Sequence, residues 1–148
     1  MSQTPALPNF LATSLGFLLA KLSQRLVRQA EDDLSGLGLQ TKQVGVLTLI
    51  ADSGPKSQKE IGDRLEIDRT TMVSLVDGLE REELVARKPD PFDRRAFLVT
   101  LTAKGKRALG KAHEIVIATE QKFLLKLGDG ERKQLLTLLT TLFKGDDR

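Results

Sequence analysis

Between Phe10 and about Asp33, apolar residues recur at helical spacing: Phe10, Leu11, Leu15, Leu18, Leu19, Leu22 and Leu26. That pattern predicts one long amphipathic helix with more than one apolar stripe. Ser35-Gly36-Leu37-Gly38 breaks it. Thr41 stands where a side-chain cap would open a second helix, with Val44, Leu47, Ile50 and Ala51 inward, and Asp52-Ser53-Gly54-Pro55 stops it. Ser57 and Glu60 have the spacing of a reciprocal capping box, opening a short helix that buries Ile61 and Leu65. Asp68 is placed to cap the next helix. Its Met72, Leu75, Val76 and Leu79 face inward, which leaves Arg69, Thr70, Thr71 and Ser74 outside. Leu84 to Phe92 reads as a strand running into a proline-pinned turn, and Phe97 to Leu101 as the returning strand. Thr102 then caps a very long helix, with Ala108, Leu109, Ala112, Ile115, Val116, Thr119, Phe123, Leu124 and Leu127 on its apolar side, ended by Gly128-Asp129-Gly130. Leu135, Leu136, Leu138, Leu139, Leu142 and Phe143 form a last helix too apolar for one buried face on a small monomer.

Helices followed by a β-hairpin predict a mainly α chain with a small wing: a winged helix-turn-helix core flanked by N- and C-terminal helices. The expected division is 1–40 as an N-terminal dimerisation helix, 41–102 as a DNA-binding lobe and 103–148 as C-terminal dimerisation helices. Surplus Leu and Phe at both ends point to a homodimer built from the termini.

Charge sharpens this picture. Arg87 to Arg107 holds seven basic residues against two acids, a local +5 in a chain of 148 residues whose total is only +3. Basic charge gathered on a hairpin and the helix start behind it is the footprint of a phosphate-facing surface. The chain has no cysteine, so disulfides, thiolate metal sites and thiol switches are excluded. Met1-Ser2-Gln3-Thr4-Pro5 carries no basic start of a signal peptide, and no apolar run is long enough to span a bilayer. The expectation is a cytoplasmic protein without a membrane partner. His113 is the lone histidine, so no metal set forms around it, and neither Ser14 nor Ser74 has a histidine suggesting a triad. The Asp32-Asp33 pair reads as solvated. No metal, cofactor or enzyme chemistry is expected.

From Leu15 to Arg107 the chain resembles the MarR family of bacterial winged-helix transcription regulators. Gly36-Leu37-Gly38-Leu39-Gln40 resembles the family's approach to its second helix. Leu75-Val76-Asp77-Gly78-Leu79-Glu80 matches the end of the family's recognition helix. Asp93, Arg95, Leu101 and Thr102 fit the wing signature Asp-x-Arg-x5-Leu-Thr, which Lys104-Gly105 continues. One position departs: Glu83 stands where the family has a glycine before the Leu that opens the wing strand. Either Glu83 takes a left-handed conformation at some cost, or the helix ends differently. The resemblance implies a dimeric, sequence-specific regulator of transcription, a repressor released by a small aromatic or lipophilic effector. An architectural or non-specific DNA binder without effector control is the alternative, and a small enzyme on a helical scaffold ranks behind it.

A recognition helix needs groups at its N-terminal end that reach base edges. Arg69 forks onto guanine, while Thr70, Thr71 and Ser74 bond bases or phosphates. Ser57, Gln58 and Arg87 complete the expected DNA-facing set. Arg94 and Arg95 suit a narrow, electronegative minor groove, and only one of them need enter it. Asp93 makes sense as a carboxylate that holds an arginine in place. The resemblance implies instead that Arg95 folds back onto Asp68 and leaves Arg94 to the DNA. It also implies an effector crevice between the lobe and the dimerisation helices, lined by Ser14, Phe17, Leu18, Lys21 and Gln43, with Leu47 and His113. Two recognition helices on a two-fold axis predict a pseudo-palindromic double-stranded operator.

Overall fold

The computed structural model describes residues 6–145. The helices are α1 (Asn9–Ala12), α2 (Leu15–Leu34), α3 (Thr41–Ser53), α4 (Gln58–Leu65), α5 (Arg69–Arg81), α6 (Ala103–Phe123) and α7 (Asp129–Lys144), and the strands are β1 (Lys56–Ser57), β2 (Val85–Pro89) and β3 (Phe97–Leu101). The strands form one antiparallel sheet in the order β1-β3-β2. Arg87 lies opposite Val99 on one side of β3, and Lys56 lies opposite the same Val99 on the other. The core is the inner face of this winged helix. Leu34, Leu47, Ile61, Met72, Leu79, Val85 and Val99 are wholly or almost wholly buried, and Leu109 and Ala112 of α6 close over them.

Several local expectations change. The N-terminal helix is interrupted at Thr13, and Ser14 caps α2 by accepting from the Phe17 amide at 3.4 Å. The N-cap of α3 is Gln40, not Thr41, and its amide donates to the Gln43 side chain at 3.0 Å. Thr41 serves another purpose: its amide and hydroxyl both donate to Glu31 of α2, at 2.9 and 2.5 Å. Ala51, expected inward, is exposed, and Leu65 is only half-buried. Ser57 caps α4 through the Glu60 amide at 3.1 Å, but the Glu60 carboxylate turns to Arg64 rather than back to Ser57. α6 ends at Phe123, and Gly128 caps α7 rather than closing α6. Asp33 is not a solvated acid. It accepts from Thr119 of α6 at 2.6 Å and from Gln29 at 2.9 Å. Those bonds, the Thr119 one above all, hold its carboxyl below the usual range.

The end of α5 answers the question posed by Glu83. Its φ is +60°, the left-handed conformation a glycine would favour. The Leu84 amide donates to Leu79 O and the Glu83 amide to Glu80 O, both at 2.9 Å. This is a Schellman closure with a glutamate at its glycine position. Glu83→Gly is therefore expected to raise stability by about 1 kcal/mol, read as a higher denaturant midpoint at unchanged slope. An unchanged or lower midpoint contradicts that account.

Candidate nucleic-acid interface

Asp68 opens α5. One carboxylate oxygen accepts from the Thr71 amide at 2.8 Å and the other from the Thr71 hydroxyl at 2.7 Å. The two bonds, the amide's first, keep the Asp68 carboxyl below the usual carboxylate range. The cap therefore persists above that range and is lost only as pH falls through the lowered value. The same geometry reassigns Thr71. Its hydroxyl proton is committed to Asp68 and its side chain is half-buried. Arg69, Thr70 and Ser74 stay exposed at the start of the helix. Helical spacing places Val73 among them, 40% exposed. Apolarity at an outward position was the available signal, because thymine offers a methyl group to apolar side chains in the major groove.

Arg87 was expected to face DNA, and the structure gives it a different occupation. Its guanidinium donates to Asp77 at 2.7 Å and to Glu80 at 2.9 Å, both on α5. It also donates to Gln58 of α4 at 3.0 Å, and its backbone amide donates to Glu80 at 3.2 Å. Arg87 thus ties the wing strand to both helices of the helix-turn-helix, and Gln58 is used in the same tie. Ser57, the N-cap just before α4, accepts the Glu60 amide with its hydroxyl oxygen.

The wing tip differs again. Arg94 and Arg95 are exposed, and among the described residues neither has an ion-pair partner. Asp93 holds an arginine only by its backbone: its carboxylate accepts from the Arg95 amide at 3.0 Å. Asp68 is occupied by Thr71, so the fold-back of Arg95 onto Asp68 is not formed here. A cleft of about 550 Å³ separates wing from helix. It is lined by Arg69 and Met72 of α5, by Ala96 and Phe97 of the hairpin, and by Ser57, Gln58 and Lys59 at the start of α4. The recognition-helix start and the wing therefore open on one face of the lobe.

The residues expected around an effector are divided in this single chain. Gln43 and Leu47 are buried, Gln43 accepting from the Gln40 amide at 3.0 Å and donating to Leu75 O at 3.4 Å. Phe17 is half-buried on α2, with Leu18 and Lys21 exposed, and the Lys21 ammonium lies 5.9 Å from the Phe17 ring centre. His113 Nε2 is 2.8 Å from the Thr48 hydroxyl. That hydroxyl also lies 2.7 Å from Val44 O, which ties the exposed His113 ring to α3. A second cleft, of about 230 Å³, lies between Leu37, Glu82 and Leu84 and the Lys104-Arg107-Lys111 side of α6.

The family model for the MarR family matches residues 36–96, from the approach to α3 to the turn of the wing before β3. A putative transcriptional regulatory protein for the hcr operon of Thauera aromatica is 31% identical over 137 residues, covering 92% of this chain and 82% of that protein. The transcriptional repressor NicR of Pseudomonas putida is 30% identical, covering 95% and 89%. Among solved structures, the repressor CouR bound to a 23-mer DNA duplex superposes with a TM-score of 0.85 at 29% identity, covering 94% of this chain and 99% of CouR. BpsR of Bordetella bronchiseptica, whose DNA binding is regulated by 6-hydroxynicotinic acid, superposes at 0.82 with 27% identity, covering 95% and 99%. The winged helix, its capped recognition helix and these nearly full-length likenesses agree: this chain belongs to the MarR family of transcriptional regulators.

Proposed function

We propose that this chain acts as a homodimeric repressor that reads a pseudo-palindromic operator and is released by a small aromatic or lipophilic effector. It is a binding protein rather than an enzyme. One observation carries the DNA-binding reading: Arg69 at the start of α5 lines a single cleft together with Ala96 and Phe97, the hairpin residues that directly follow the exposed, unpaired Arg94 and Arg95. An α-helix in the major groove and a wing over the adjacent minor groove require that arrangement. The likeness to DNA-bound CouR supports it. We assign 41–102 to the lobe and the flanking segments 1–40 and 103–148 to dimerisation. The effector reading draws support from BpsR and from the exposed His113 bonded to Thr48 at the junction of α3 and α6. The deciding experiment is selection of bound duplexes from a random pool, repeated with an aromatic carboxylate present. Enrichment of two half-sites about one helical turn apart, lost with the carboxylate, is expected. An unenriched pool points to an architectural binder.

Arg69 and Arg94 have separable roles in this reading. Arg69→Ala is expected to cost about 1–3 kcal/mol on the selected operator and to relax preference at one base position. Arg94→Ala is expected to weaken binding to all sequences alike and to lower the salt slope by about one ion. Titrations against operator and random duplex at two salt concentrations separate them. If Arg94→Ala changes a major-groove preference while Arg69→Ala changes none, the two elements are misassigned.

A further inference from the structure

The exposed aromatic ring at the wing tip is unexplained by a phosphate-binding hairpin. Phe92 is 96% exposed, flanked by Pro91 and Asp93. Its position is fixed by the loop. The Asp90 carboxylate accepts from the Phe92 amide at 2.9 Å, the Asp90 amide donates to Ala96 O at 3.0 Å, and the Ala96 amide donates to Asp93 O at 3.1 Å. Pro89 and Pro91 restrict the backbone on either side. An ordered loop therefore presents the phenyl group to water. The loop's two acids, Asp90 and Asp93, are spent on the Phe92 and Arg95 amides. What remains to face a partner is a phenyl ring beside two unpaired guanidiniums.

We infer that Phe92 is a DNA-contacting residue whose ring lies against the deoxyribose wall of the minor groove while Arg94 or Arg95 meets the phosphates. This rests on the DNA-binding reading proposed above and adds to it an apolar, salt-insensitive contact. The groove has the matching chemistry, with anionic rims over apolar sugar walls, and aromatic side chains are established minor-groove wedges. The placement fits as well: Ala96 and Phe97, a few residues along the same hairpin, line the cleft that Arg69 also lines.

The chain contains no Trp and no Tyr, so Phe92→Trp installs a single fluorescent reporter at the tip. In the free dimer its emission is expected to be quenched by acrylamide like that of an indole in water. With saturating operator, quenching is expected to fall several-fold. Phe92→Ala is expected to weaken operator binding about tenfold, as loss of a partly buried ring implies, with an unchanged salt slope and unchanged melting temperature. Equal quenching with and without operator overturns the inference, as does wild-type affinity of Phe92→Ala. A reporter already shielded in the free dimer overturns it too, because the protein then covers its own ring. So does shielding by anionic phosphatidylserine vesicles but not by duplex. If the unsubstituted protein binds no selected duplex, the DNA-binding reading itself falls, and this inference with it.

Discussion

A chain carrying Leu139→Asp and Leu142→Asp is expected to sediment as a monomer and to lose operator affinity by roughly two to four orders of magnitude. No described residue of α7 is buried. Leu136, Leu138, Leu142 and Phe143 are 68, 55, 62 and 80% exposed, and Leu15, Leu19 and Leu22 of α2 add 64, 41 and 43%. Covering such side chains is worth on the order of 1 kcal/mol each, and a second copy presenting the same helices is self-complementary. The expected interface is apolar and roughly 2,000 Å² or more. The large loss of affinity follows from geometry rather than from any DNA contact. Each lobe reads one half-site, and the dimer makes the second binding event intramolecular. α7 contributes nothing to the buried core of the lobe, so the monomeric double variant should keep the lobe's fold and a weak, salt-sensitive affinity for duplex DNA. Sedimentation and operator titration of the same preparation decide it. A double variant that stays dimeric, or a monomer that binds as tightly as the parent, ends the proposal that the termini make the dimer.

What was legible in the sequence follows from how local each determinant is. Periodicity and caps act within one or two turns, so the recognition helix and its Asp68 cap could be read directly. So could the wing strands, whose turn is set by Pro89 and Pro91. The two-residue β1 was not visible, because Lys56 and Ser57 pair with Val99 and Leu98 some forty residues later and carry no alternating pattern. Side-chain partners failed for the same reason. The basic character of Arg87 suggested phosphate, whereas its fate is set by Asp77, Glu80 and Gln58, which the fold alone assembles. Thr71 was legible as polar but not as spent on Asp68, while Asp93 was read as holding an arginine and does so through the Arg95 amide rather than a guanidinium. The expected effector residues split between core and surface: Leu47 is wholly buried, while Lys21 and His113 are exposed.

Gly105 is where the pattern was legible and its reason was not. In sequence it only continues the wing signature. In the structure a Cβ at this position would lie 2.0 Å from Leu84 O, 2.9 Å from Leu84 C and 2.8 Å from a Leu101 methyl. The carbonyl is backbone and pinned: Leu84 O also accepts from the Thr102 amide at 3.2 Å. Thr102 in turn donates its hydroxyl to Glu83 O at 2.7 Å and accepts from the Gly105 amide at 2.9 Å. The first turn of α6 is thus pressed against the start of β2, one residue past the Glu83 closure. Gly105→Ala must lift α6 by about 1 Å or more, breaking the Thr102 cap, at an expected cost of about 3 kcal/mol or more. The damage should extend to function. α6 also carries Leu109 and Ala112 into the core and Thr119 onto Asp33 of α2, so lifting it shifts the lobe against the outer helices. Gly110 of the same helix supplies the control. A Cβ there meets nothing within 4 Å, so Gly110→Ala should stabilise by about 0.5–1 kcal/mol through helix propensity alone. Denaturant midpoints of the two variants should move in opposite directions, and only Gly105→Ala should weaken operator binding at temperatures where it remains folded. Equal stability of Gly105→Ala and the parent would mean that the wing and α6 do not meet as closely as this geometry requires.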